Sequence, residues 1–222
     1  MSNLIIVSCT KAKTDEEFKQ RPLYNSLKKH TSNNSKIEQY IFKNNTRGLS
    51  VCYNEILNSP KNQEKLVLFV HDDLVLEDLF LYEKLIASPY AITGLAGAKS
   101  FNKHSSNLAW HLASNGDLVG EVAHSKDNNV WTTVFGPTKS RALTIDGLFI
   151  CCNVKMLQES GVYFDEDFSF HFYDIAFCLR ANLKKITCGV LPIRVVHHGL
   201  GDSMLTNEWQ TANNNFRKKY CI

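Results

Sequence analysis

The chain has 222 residues, of which 44% are hydrophobic and 21% charged, with a formal net charge of +3. That length suits one domain of roughly 100–200 residues, or one domain with an insertion, and that composition excludes a mainly disordered chain, a collagen and a coiled coil. So small a positive excess, without a dense basic stripe, gives no ground for nucleic-acid binding, and no run of about 18 apolar residues is present to span a bilayer.

Leu4 to Cys9 is a continuous apolar run, the pattern of a parallel strand buried on both faces. It reads as a first strand and not as a signal peptide, because a basic leader and a small-residue cleavage site are missing. Pro22 to Lys29 follows as a short helix, residues 31–37 as a Ser/Asn-rich loop, and Glu38 to Phe42 as a second strand. Leu49, Tyr53, Ile56 and Leu57 recur at helical spacing. Lys65 to Val70 is a third buried strand, and Glu77 to Ala87 suits a helix. This alternation favours an α/β fold with parallel strands. Ala91 to Ala98 reads as one strand, residues 102–140 as an irregular insertion with short antiparallel strands, and Arg141 to Cys152 as a further apolar stretch. Val154 to Ser160 is a helix ended by Gly161. Phe170 to Leu183 has helical spacing, Ile186 to Val196 is a strand interrupted by Pro192, and Thr206 to Tyr220 is an amphipathic helix. Seven cysteines, none in a CxxC pair, read as buried free thiols of a reducing cytoplasm.

Four segments hold chemistry. In LVLFVHDDLVL an apolar strand runs into Asp72 and Asp73, at the strand end where ligands of open α/β sheets gather. A carboxylate there suits Mg²⁺ or Mn²⁺, and it equally suits a turn and a helix cap before Leu74. In GVYFDEDFSFHFYDIAFCLR, Asp174 lies inside an aromatic stretch. Desolvation there would raise its pKa toward that of a general base, unless Arg180 pairs with it. In RVVHHGLGD two histidines end a strand ahead of two glycines, and neutral imidazole can ligate Mn²⁺. In NNTRGLSVCYN, Asn45, Arg47 and Asn54 flank a turn at Gly48. Trp110 and Trp131 both suit ordinary core packing.

The order of these pieces resembles the family 2 glycosyltransferases of GT-A fold. It is most similar to a bacterial branch that carries HDD where others have D-x-D, and the likeness runs from Asn3 to about Tyr220. It implies one GT-A domain, an αβα sandwich on a mostly parallel sheet with a small antiparallel part. Residues 1–98 would bind the nucleotide-sugar and 99–222 the acceptor. Carried over, Ser8, Thr10, Asn45, Arg47, Asn54, His71 and Asp72 fall on the donor side. Asp73 and His197 fall on a metal, Mn²⁺ or Mg²⁺, with His198 the other candidate. Asp146, Gly147 and Trp131 fall near the acceptor, and Asp174 is the catalytic base. Tyr173 and Ala176 stand where the family often carries acids. The implied activity is metal-dependent inverting transfer from a nucleotide-sugar, a UDP-sugar first, to a hydroxyl of a glycan, lipid-linked or protein acceptor in surface polysaccharide or glycoconjugate synthesis. The implied location is the cytoplasm or the inner membrane face. A nucleotidyltransferase and a non-catalytic nucleotide- or glycan-binding domain are the alternatives.

Overall fold

The computed structural model describes residues 3–127, 129–199 and 206–220. The chain begins with strand β1 (Leu4–Cys9), helix α1 (Asp15–Lys19), helix α2 (Pro22–Asn33), strand β2 (Ile37–Phe42) and helix α3 (Leu49–Leu57). Strand β3 (Leu66–Val70) follows, then β4 (Leu74–Leu76) and α4 (Leu81–Ile86). The strands β5 (Ile92–Gly94), β6 (Ala96–Ala98), β7 (Leu118–Lys126), β8 (Asn129–Val134), β9 (Ser140–Ala142), β10 (Thr144–Ile145) and β11 (Phe149–Asn153) occupy the middle. Helices α5 (Val154–Ser160) and α6 (Tyr173–Leu183), strands β12 (Cys188–Val190) and β13 (Val195–His197), and helix α7 (Asn207–Tyr220) complete it.

Two sheets share these strands. The larger has the order β2-β1-β3-β11-β5-β12-β9. β1 lies parallel between β2 and β3, with Leu4 level with both Ile37 and Leu66. This is why LIIVSC must be apolar on both faces, and its residues Leu4 to Val7 are all buried. β11 enters antiparallel between β3 and β5. The smaller sheet runs β10-β6-β7-β13-β4, with β8 paired to β7 alone. The fold is therefore α/β with a sheet whose first half is parallel.

The helices are placed by their apolar faces and end chemistry. α2 starts on Pro22, which needs no N–H there. It runs past Lys29 to Asn33, further than the Ser/Asn composition indicates, because His30 is buried with its Nε2 3.2 Å from the Leu76 carbonyl. α3 packs Tyr53 face to face on Phe69 of β3 at 4.2 Å. α5 is capped by Asn153 and ends at Gly161 in the left-handed conformation (φ 64°). α7 buries Trp209 and Phe216, and Phe216 stacks on Phe172 at 5.1 Å.

Two stretches that read as single strands, and a third that read as apolar only, are each divided in the structure. Residues 91–98 divide at Leu95 into β5 of the large sheet and β6 of the small one, and 186–196 divide into β12 and β13 across Pro192 in the same way. Residues 141–152 give parts of β9, β10 and β11. The first turn of the helix expected over 77–87 is instead a loop, 77–80, which follows β4, and α4 begins at Leu81. Leu74 and Leu76 face the core while pairing with β13, and Asp78 accepts from the backbone of Phe80 and Arg194. Of the insertion, 102–117 and 135–139 are irregular, while β7 and β8 pair as antiparallel neighbours.

Candidate active site

Strand pairing carries distant residues to one place. The antiparallel register of β4 on β13 sets Leu74 opposite His197, so the preceding Asp73 meets the end of β13, where the His198 N–H donates to the Asp73 carbonyl at 2.9 Å. β7 lies parallel to β13 with His124 level with His197. On the other side β3 pairs with β11, and the His71 N–H donates to the Leu148 carbonyl at 3.1 Å. That brings the HDD segment beside the Asp146-Gly147 turn. Phe172, in the left-handed region at φ 66°, then turns the chain so that α6 opens with Tyr173 and Asp174 at the same spot. The result is a cavity of about 570 Å³ lined by His71, Asp73, Asp146, Gly147, Asp174 and His197 among others.

Asp73 and His197 form its first pair, with Nε2 3.3 Å from Oδ2. Burial raises the Asp73 carboxyl, but the His197 hydrogen bond and the nearby His71 and His197 charges outweigh it and hold Asp73 below its usual range. Burial likewise lowers His197, and the Asp73 carboxylate outweighs it and holds the imidazole above its ordinary value. Oδ1 of Asp73 is buried without a hydrogen-bond partner among the described groups. Gly199 closes the pair off, since a Cβ there would stand 2.9 Å from His197 Nε2 and 3.1 Å from Asp73 Oδ2. His198 is exposed, so of the two histidines it is His197 that faces the carboxylate. Among the described residues no group of three or more His, Cys, Asp or Glu side chains is placed to hold a metal ion. Among the described residues, then, no cage is built from protein alone. The bare Asp73 oxygen and the imidazole suit an ion that takes few protein ligands and completes its shell with water and substrate phosphate, as Mg²⁺ does.

The second cluster is carboxylic. Asp174 Oδ2 accepts from the Gly147 N–H at 2.9 Å and Oδ1 from its neighbour Ile175 at 2.8 Å. Burial first, and the Asp146 charge second, push its pKa up from 3.8 to about 7 against those two donors. Asp146 has both oxygens engaged, Oδ1 by the Leu148 N–H at 3.0 Å and Oδ2 by the Trp110 Nε1–H at 2.9 Å. Tyr173 donates its hydroxyl hydrogen to the Gly147 carbonyl at 2.7 Å, and His71 Nε2 lies 3.0 Å from the Tyr173 hydroxyl oxygen. With that hydrogen committed, the His71 contact requires Nε2 to carry the proton. Burial lowers the His71 pKa despite the nearby acids. A side chain at 147 would collide with the Tyr173 ring, so the close approach requires glycine. Arg180, the alternative partner for Asp174, points to Asp165 instead (3.8 Å).

The other sequence candidates lie outside this cavity. Asp72 is gripped by Arg21 (2.7 and 2.9 Å) and by the Thr10 hydroxyl at 2.5 Å, and ties α2 to the end of β1. Asn54 is buried between α3 and the loop before α6. Its amide donates to the Phe164 carbonyl and to Glu166 and accepts from the Phe164 N–H, so both amide hydrogens are engaged there. Asn45 closes a turn on the backbone of Arg47, and Arg47 pairs with Glu55 and lies over Phe42. Ser8 is fully buried with its hydroxyl unpartnered. Trp131 is 40% exposed on β8 and reaches the cavity only through His124, on which it stacks at 5.5 Å. Trp110 packs in the core as read, and it also forms cavity wall and orients Asp146. His111, His124, Phe170, His171 and Trp209 line the cavity as well. In the sequence they carry no signal beyond aromatic richness.

Residues 7–220 match the glycosyltransferase-like family. The chain belongs to that family. The expectation of a glycosyltransferase is met at that level. No curated protein sequence matches it significantly. Among solved structures, S. aureus TarS 1–349 in complex with UDP-GlcNAc is similar at a TM-score of 0.52 and 13% identity. The match covers 91% of this chain and 60% of that one. At that identity the likeness shows the fold, which is of the GT-A type, and this chain spans three fifths of the neighbour's length.

Proposed function

We propose that this family member transfers a sugar from a nucleotide-sugar to an acceptor hydroxyl, with inversion, at the 73–146–174–197 cavity. The observation that carries the reading is the meeting, in one cavity, of the Asp73–His197 pair and the Asp174 carboxyl held by the Gly147 and Ile175 N–H groups. Among the described residues no lysine or arginine lines that cavity, while three carboxylates do. A diphosphate entering it lacks a permanent positive side chain, and a divalent cation is the remaining counter-charge. Mg²⁺ or Mn²⁺ bound through Asp73 and His197 would supply Lewis-acid stabilisation of the leaving nucleoside diphosphate. UDP-GlcNAc on the similar TarS structure favours a UDP-sugar as donor.

The chain's own residues do the rest. Asp174 accepts the proton of the attacking hydroxyl, and a base with pKa near the working pH is the efficient choice. Gly147 and Ile175 hold its oxygens with backbone N–H groups, so the carboxylate is fixed before the acceptor arrives. Tyr173 locks the Gly147 peptide and His71 together. Asp146, with Leu148 and Trp110 on its two oxygens, is poorly placed to be a nucleophile, which favours single displacement and inversion. In this reading residues 1–98 serve the donor, and 99–222 supply the base and the acceptor wall.

The test is thermal denaturation with UDP, with and without Mn²⁺. UDP with Mn²⁺ is expected to raise Tm more than UDP alone, and Asp174→Asn is expected to keep that shift while losing transfer. A nucleotide panel that moves Tm under neither condition would sink the donor site. Release of pyrophosphate from a nucleoside triphosphate would favour a nucleotidyltransferase instead.

A further inference from the structure

The acceptor side of the cavity is unusual in its charge. Asp146 and Asp174 stand there with Trp110, Phe170, Phe172 and Trp209. Three basic side chains on the framing helices are engaged elsewhere, and Lys218 of α7 is exposed and is not among the cavity-lining residues. Arg217 of α7 donates to the carbonyls of Ser105 and Ser106, and Lys219 of α7 and Arg180 of α6 both turn to Asp165. On the donor side a bound cation can offset negative charge. On this side the described residues provide no such group, and a second anion would meet two carboxylates in a partly desolvated space, where like charges repel strongly. The aromatic rings suit the apolar C–H face of a pyranose. The Asp146 carboxylate, already oriented by Trp110, suits hydroxyl donors.

Resting on the transferase reading above, we propose that the acceptor unit entering this cavity is an uncharged sugar, taken in preference to its phosphorylated or carboxylated counterpart. The specificity resides in Trp110 and the Asp146–Asp174 pair. His111, which lines the cavity and meets Trp110 edge-on at 5.2 Å, is the position where an added cation would relax it.

The experiment uses the full chain with UDP and Mn²⁺ at about pH 8, where ordinary histidines are neutral. Tryptophan fluorescence is titrated with methyl hexosides and methyl N-acetylhexosaminides, and with the 6-phosphate and 6-carboxylate form of each. At least one neutral glycoside is expected to change the emission, with its charged forms binding at least about tenfold more weakly. Trp110→Phe is expected to weaken binding of the neutral form, read by the remaining Trp209 of the cavity wall, and His111→Lys to narrow the gap between neutral and charged forms. Charged forms that bind as tightly as the neutral ones overturn the proposal. So does the absence of any neutral binder while UDP with Mn²⁺ still raises Tm. Loss of that Tm shift itself removes the donor reading, and this proposal with it.

Discussion

Replacing Asp174 by Asn should stabilise the protein in mild alkali while abolishing transfer. The folded carboxyl titrates near 7 against an ordinary 3.8. At about 1.4 kcal/mol per pH unit between the two points, ionising it in the fold costs about 4 kcal/mol. The folded chain keeps this proton at pH values where the unfolded chain has released it. Stability is therefore undiminished below about pH 4, declines as pH rises, and levels off above about pH 7. An asparagine carries no charge, so that decline disappears. Its amide accepts through one oxygen only, so the N–H of Gly147 or Ile175 loses its acceptor, at about 1–2 kcal/mol. The variant should thus be less stable than the parent by about 1–2 kcal/mol near pH 4 and more stable by about 2–3 kcal/mol near pH 8. Urea denaturation of both proteins across that range measures the difference directly. A difference that stays constant between pH 4 and pH 8 would refute the raised pKa, and with it the case for Asp174 as a base near neutrality.

Tyr173→Phe removes the hydroxyl that joins Gly147 to His71. It should cost about 1–3 kcal/mol in urea denaturation and lower kcat more than KM for the donor; unchanged kcat would remove Tyr173 from the positioning of the base. Gly199→Ala places a Cβ against His197 and Asp73, so it should reduce the Tm shift given by UDP with Mn²⁺ while far-UV circular dichroism stays the same. Asp72→Asn breaks the Arg21 and Thr10 contacts, and should lower Tm yet leave the size of the UDP–Mn²⁺ shift intact. A lost shift in a folded Asp72→Asn protein would restore Asp72 to the donor site.

How much of this was legible in the sequence differs from residue to residue. Asp73, Asp174 and His197 were readable because each stands at the end of an apolar strand or at the head of a helix, where a charged or polar group needs a reason. Their convergence follows from strand register, which no local pattern displays. Residues 91–98 and 186–196 read as single strands because an apolar run is the same whether its halves share a sheet or part at Leu95 or Pro192. Asn54 and Asp72 were assigned by position in loose family motifs. In the fold their short polar side chains are engaged by neighbouring backbone and ionic groups. Trp110 was hidden by its own chemistry: an indole buries most of its surface in a core or in a cavity wall alike, and only its Nε1 bond to Asp146 distinguishes the two.

The central claim is that Asp73 and His197 hold the diphosphate of a nucleotide-sugar through a divalent cation. Anomalous diffraction at the manganese edge, from crystals grown with UDP and Mn²⁺, tests it most directly. The account predicts a single strong peak within ligand distance of Asp73 and His197 and touching a phosphate oxygen of UDP. Nucleotide bound away from this cavity, or phosphates seated in it with manganese elsewhere, would contradict it.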